Sequence, residues 1–159
     1  GKRLLTRRRG GYEKGDCKKM AKDKLRDNIQ YEFKGNVSNT ELMKQYQDKN
    51  YYVFVNVSSS EGIPVSIMEA TSFGIPCIAT DAGGTKEIIS DKENGVLLDR
   101  DARTEIITAS ISKFCSMTDE EYREYRRCSR ERWISKFNAK SNYEIYVTQL
   151  LKQISGDKE

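Results

Sequence analysis

The run YYVFVNV at residues 51–57 limits what this chain can fold into more than any other stretch. It is aromatic and β-branched, with Asn56 as its one polar interruption. Such a run suits a strand covered on both faces, and strands of that kind belong to parallel sheets. Parallel neighbours need crossover connections, usually helical, and the sequence on either side supplies them. Residues 2–6 read as a strand, 17–27 as a polar helix, and 28–33 as a strand closed by Gly35. Residues 40–48 read as a short helix with Leu42, Met43 and Tyr46 on one side. After the loop at 58–63, Pro64 opens a helix at its first position and Gly74 stops it. The run PCIAT at 76–80 is another buried strand, followed by a loop at 81–84, a helix through Ile89 and a short strand at 95–98. From Thr104 onward the pattern is helical, with breaks at 116–119 and at Asn138. Alternating strands and helices imply an α/β fold: a doubly wound parallel sheet with helices on both faces.

At 159 residues the chain is the size of one domain. No apolar run approaches the roughly 18 residues that span a bilayer. The start, GKRLLTRRRGG, has neither the apolar core nor the cleavage site of a signal peptide, so the expected compartment is the cytoplasm. There is no histidine, and Cys17, Cys77, Cys115 and Cys128 form no CxxC pair. That removes the commonest zinc ligand sets and any Ser–His or Cys–His nucleophile. Reduced thiols are expected, with Cys77 in the core. Any proton transfer must then use a carboxylate, the substrate, or a group on another domain. The net charge of +4 is concentrated in two clusters. Arg7, Arg8 and Arg9 form one, with Lys14, Lys18 and Lys19 close behind; Arg123, Arg126, Arg127, Arg130 and Arg132 form the other. In the second, glutamates stand at helical spacing from the arginines, as on a solvated helix face. Contact with anionic lipid or a partner domain is the alternative. Neither cluster carries a nucleic-acid reading motif.

The stretch with chemical content is SSSEGIPVSIME at 58–69. In a doubly wound sheet, ligands bind outside the carboxyl ends of the strands, where the loop after Val57 would lie. The helix opened by Pro64 would aim the backbone amides of Val65, Ser66 and Ile67 into that crevice. Amides at a helix start, with the helix dipole behind them, favour an anion such as a diphosphate. Gly62 lets the backbone come close. Glu61 precedes the helix and Glu69 lies nearly two turns in, so the two carboxylates bracket the anion position. Each could accept hydrogen bonds from paired hydroxyls: a hexose at Glu61, a ribose at Glu69. Sugar, diphosphate and ribose in line describe a nucleotide-sugar. Gly83, Gly84 and Glu87 read as a tight turn and helix start. Trp133, Phe137, Tyr143 and Tyr146 are spaced like anchors that pack terminal helices onto the body.

Glu61-Gly62-Ile63-Pro64, Glu69-Ala70, Gly74-x-Pro76, Cys77-Ile78-Ala79-Thr80, Gly83-Gly84 and Glu87-Ile88 resemble the C-terminal domain of glycosyltransferase family four. The likeness includes that family's two glutamates separated by seven residues. It extends back through Phe33-x-Gly35-x-Val37 and forward through Asn94-Gly95-Val96-Leu97, covering most of residues 10–100. The resemblance implies a GT-B architecture of two facing Rossmann-like domains, of which residues 1–159 would be the donor-binding one. Residues 1–9 would form a basic N-terminal segment and 104–159 the C-terminal helices. It also implies transfer of a hexose from a UDP- or GDP-sugar with retention of configuration, without a metal or other cofactor. By the same resemblance Glu61 contacts the sugar and Glu69 the ribose. Gly62, Ile63, Pro64, Val65 and Ser66 meet the sugar and diphosphate, and Asn36 and Val37 lie near the base.

The chain departs from the family pattern at its start. The acceptor-binding domain is expected to be missing. In the alignment that fits the spacing to Gly35 without a gap, the first strand-helix unit of the donor domain is missing as well. A competing alignment places Arg9 and Lys14-Gly15 on the family's diphosphate-binding basic pair. Either way the sheet must be completed by residues 2–6, completed by a second copy of the chain, or left smaller. The expected partners are therefore a nucleotide-sugar, the acceptor domain and a second copy, without nucleic acid, and with peripheral contact to the inner face of a membrane. Two other classes of function stay open: a nucleotide-binding or assembly module without transferase activity, and a basic protein acting on nucleic acid or membrane.

Overall fold

Strand β2 (Tyr51–Asn56) takes the interior position that its composition calls for, with Tyr51, Val53, Phe54, Val55 and Asn56 all buried. The computed structural model describes residues 3–6, 14–26 and 28–155. Along the chain, β1 (Arg3–Thr6), α1 (Lys14–Lys24) and α2 (Asn39–Asp48) precede β2. After it come α3 (Val65–Ser72), β3 (Cys77–Thr80), α4 (Thr85–Ile88) and β4 (Gly95–Leu98), then helices α5 (Thr104–Ser116), α6 (Asp119–Phe137) and α7 (Ala139–Ser155). The four strands form one parallel sheet in the order β1-β2-β3-β4.

Side-chain alternation sorts the core onto the two faces of this sheet. Phe54, Cys77, Ala79 and Leu97 point to one face, where Tyr46 of α2 and Ile67 and Ala70 of α3 cover them. Val53, Val55, Ile78 and Leu98 point to the other, beneath Phe114 of α5 and Tyr122 and Tyr125 of α6. Cys77 is fully buried and its surroundings push the thiol pKa up, so it is core, as expected.

Two expectations change and one open alternative is decided. Residues 28–33 are not a strand: the segment has no ladder partner among the described residues, and Ile29, Tyr31 and Phe33 are exposed. Its alternating apolar residues would need one covered face, and no described core cluster includes them. Tyr31 and Phe33 instead meet each other edge to face, 5.8 Å apart. Secondly, of the ways left open to complete the sheet, residues 3–6 supply it, as β1 pairs directly with the interior strand β2. Residues 7–13, including Arg9, lie outside the described residues. Thirdly, Phe137 packs against the core, but Tyr143 and Tyr146 do not anchor α7: they are 71% and 61% exposed. The described core clusters draw on residues up to Phe137 and include none from α7.

Candidate functional site

The carboxyl ends of parallel strands and the starts of the following helices share one edge of the sheet. That edge gathers residues 57–64 after β2 and 81–84 after β3. The two loops are locked together. The Gly84 amide donates to the Gly62 carbonyl at 2.7 Å, and the Thr80 hydroxyl donates to the Ser58 carbonyl. Gly83 sits at φ +56°, and a Cβ there would lie 2.0 Å from the Glu61 carbonyl oxygen. Only glycine permits both that backbone and that approach. Gly83 and Gly84 are thus a tight turn before α4, as expected, and they also shape the loop that carries Glu61.

Glu61 is half-buried, and its Oε1 accepts from Asn56 Nδ2 at 3.1 Å. Asn56 is buried at the end of β2, and its Oδ1 accepts the Ser58 amide at 3.2 Å. The side chain that orients Glu61 is therefore itself held at both ends. An ionised carboxylate only accepts hydrogen bonds, so the remaining lone pairs of Glu61 suit hydroxyl or amide donors.

Helix α3 begins one residue later than expected. Pro64 is the N-cap, at φ −74° and ψ 93°, with no side-chain bond to the first turn. Its carbonyl accepts from Ile67 at 2.9 Å and Met68 at 3.2 Å. The Ile67 amide, expected among the anion donors, is thus taken, and Val65 and Ser66 supply the first-turn amides. A helix start without a side-chain cap leaves such amides to solvent or an anion. Ile63 and Val65 are more than half exposed beside them, whereas Pro64 and Ser66 are buried.

Half-buried Glu69 accepts at Oε1 from Asn39 Nδ2, 2.6 Å away. Asn39 opens α2, whose N-cap Ser38 accepts from the Glu41 amide. This bond ties the segment holding Asn36 and Val37 to the α3 helix, across 30 residues of sequence. Sequence reasoning gives Asn39 no role, Asn56 only that of a polar interruption in its strand, and Thr80 only a place in the family-like motif. Each is an ordinary polar residue whose partner becomes visible only when distant loops meet. Along the chain, Glu61 and its loop precede the α3 start, and Glu69, bonded to Asn39, lies within the helix.

Known proteins share this arrangement of elements. The family described as "Glycosyl transferases group 1" matches residues 9–152. The UDP-N-acetylglucosamine--peptide N-acetylglucosaminyltransferase GtfA subunit of Streptococcus gordonii is 29% identical over 111 residues, which is 67% of this chain and 22% of that protein. Sucrose-phosphate synthase from Thermosynechococcus elongatus superposes with a TM-score of 0.71 at 21% identity, over 98% of this chain and 39% of that one. A variant of S. aureus TarM, solved in complex with Fondaparinux, alpha-GlcNAc-glycerol and UDP, superposes with a TM-score of 0.69 at 26% identity, over 92% of this chain and 28% of that one. The chain therefore spans well under two thirds of each of these proteins. The superpositions show the expected fold, the Rossmann-like C-terminal domain of a GT-B protein. Because the match runs over residues 9–152 of 159, the chain belongs to the glycosyl transferases group 1 family.

Proposed function

We propose that this chain is the donor-binding half of a retaining glycosyltransferase of family four. In this reading it binds a UDP- or GDP-sugar and presents the hexose to a glycan or lipid acceptor held by a second domain, in cell-surface polysaccharide synthesis. The observation that carries the reading is the pair of half-buried glutamates flanking the α3 start, each oriented by an asparagine from another element. Glu61 takes the hydroxyls of the transferred sugar and Glu69 those of the ribose. The amides of Val65 and Ser66 face the diphosphate, and Asn36 and Val37 stand near the base. The half-exposed Ile63 offers an apolar wall beside the sugar. The UDP bound in the TarM complex supports a nucleotide diphosphate on this fold. In this reading the helix-start amides of Val65 and Ser66, rather than a metal, meet the diphosphate charge.

Calorimetry with UDP and GDP tests the reading. Glu69→Ala should weaken binding by about 1.5–3 kcal/mol, the range for hydrogen bonds to a charged group. Unchanged nucleotide affinity in a folded Glu69→Ala chain would remove Glu69 from the ribose.

A further inference from the structure

Four of the five arginines on helix α6 divide between two tasks. Arg127 stays on its own helix, bonded to Glu124 and to Glu131 at 2.6 Å. Arg126, Arg130 and Arg132 reach off it and donate to backbone carbonyls. Arg126 Nη2 bonds the Phe73 carbonyl at 3.1 Å, Arg130 Nη1 bonds the Ser72 carbonyl, and Arg132 Nη2 bonds the Glu87 carbonyl at 3.0 Å.

Two of these acceptors are what the end of α3 leaves open. Gly74, at φ +65°, closes the helix in a Schellman motif: the Ile75 amide bonds the Ala70 carbonyl at 3.1 Å and the Gly74 amide bonds the Thr71 carbonyl at 2.9 Å. Ser72 and Phe73 carry the next carbonyls, and cations there also complement the negative end of the helix dipole. Arg130 is further steadied by Trp133, whose ring centroid lies 4.8 Å from the guanidinium carbon. The approach is tight, since a Cβ on Gly74 would stand 3.0 Å from the Arg126 carbonyl oxygen. Two more bonds from α6 continue the pattern: Ser129 Oγ to the Asn94 carbonyl and the Tyr122 hydroxyl to the Tyr52 carbonyl, both 2.8 Å. The Ser72, Phe73, Asn94 and Tyr52 carbonyls lie near the beginnings of strands or the end of α3, on the edge opposite the candidate site, and the Glu87 carbonyl lies near the end of the short α4. The cleft of about 560 Å³ between α3 and α6 is lined by Arg126, Arg130 and Trp133. Because its two outreaching arginines are committed to carbonyls, the cleft reads as a clamp on α3.

We infer that Arg126, Arg130 and Arg132 are positioning residues for the donor site, fixing α3 and α4 from the far edge of the sheet. The inference rests on the functional reading above. Helix α3 has eight residues and is about 12 Å long, so a tilt at its clamped end displaces Glu69 and the first-turn amides. Helix α4 follows Gly84, which bonds Gly62, so Arg132 acts on the Glu61 loop by the same logic. Misplacement on the order of 1 Å is enough to damage a site that works by orientation.

The test is hydrogen exchange and nucleotide titration on the full chain carrying Arg126→Gln and Arg130→Gln together, with Arg127→Gln as control. In the double variant, amide exchange over residues 61–72 should rise at least about tenfold while β3 stays as protected as in the parent. UDP or GDP affinity should fall by about five- to tenfold, and the control should change neither. Lysine at both positions should restore part of each effect, because an ammonium still donates to a carbonyl. Unchanged exchange over 61–72 overturns the clamp. Faster exchange with unaltered nucleotide affinity overturns its link to the site. A parent chain that binds neither nucleotide refutes the donor-site reading instead, and exchange alone then decides the clamp. If the double variant does not fold, Arg132→Gln, followed at residues 61–62 and 83–88, gives the same decision.

Discussion

Glu61 and Glu69 carry the same group at similar burial, and their neighbours separate what they can do. Glu61 is held by Asn56 on a loop whose shape depends on Gly83 and Gly84, whereas Glu69 rides a helix and is held by Asn39. Contact with the transferred sugar should therefore matter for the nucleotide-sugar and hardly for the free nucleotide. Calorimetry on Glu61→Gln should show a loss of about 1–2 kcal/mol for the nucleotide-sugar and little for the nucleotide. Equal losses for both ligands would contradict the sugar role. Gly83→Ala probes the same loop from behind. A side chain at φ +56° is strained, and its Cβ would stand 2.0 Å from the Glu61 carbonyl oxygen, backbone that cannot swing aside as a side chain would. The substitution should cost more than about 1 kcal/mol of stability, read by urea unfolding, and should lower nucleotide-sugar affinity as well. A fully stable Gly83→Ala chain would mean that the two loops are not in contact in solution.

Elements defined by their own sequence were the legible ones. Strands β2, β3 and β4 are short apolar runs between loop signals, and the breaks before α6 and α7 fall within 116–119 and at Asn138, as the sequence predicts. Thr118 builds a capping box: its hydroxyl accepts from the Glu121 amide at 3.2 Å, and Glu121 Oε2 accepts from the Thr118 amide at 2.8 Å. What local pattern cannot show is whether a face finds a partner. The alternation at 28–33 is a good strand pattern, and the stripe through Tyr143, Tyr146 and Leu150 is a good helix face, yet both stand exposed. The asparagines that orient the two glutamates were illegible for the same reason, since their contacts are tertiary. The capping box makes a prediction at this scale. The Thr118 amide, and after it the Thr118 hydroxyl, hold the Glu121 carboxyl below its ordinary value of 4.5. A depressed folded pKa stabilises the protein above the unfolded value and loses that contribution as pH falls through the folded one. Glu121→Gln should therefore flatten the loss of thermal stability below pH 4.5. Thr118→Ala should cost about 1 kcal/mol at neutral pH. Identical acid profiles for Glu121→Gln and the parent would show that the box does not form.

At the scale of the molecule, the apolar stripe of α7 stands exposed. Ile145, Tyr146, Leu151 and Ile154 are more than half exposed, and none of α7's residues is buried. The chain spans between 22% and 39% of the matched proteins' lengths, and the proposed function assigns acceptor binding to a second domain. The last prediction is that the 159-residue chain by itself transfers no sugar. Retaining transfer needs the acceptor hydroxyl held against the anomeric carbon on the face the diphosphate leaves from. Orientation of this kind supplies on the order of several kcal/mol of barrier lowering, and it is lost when nothing holds the acceptor. The chain has no histidine to take the acceptor's proton, and besides Asp81 the carboxylates of the candidate edge are Glu61 and Glu69, both assigned to holding the donor. Binding without turnover is the expected behaviour. Radiolabelled UDP- and GDP-sugars incubated with the purified chain and mixed glycan and lipid acceptors should give no product above background, while titration detects the nucleotide. Robust transfer by the chain alone would show that acceptor positioning resides in these residues, and the division of labour between two domains would have to be abandoned.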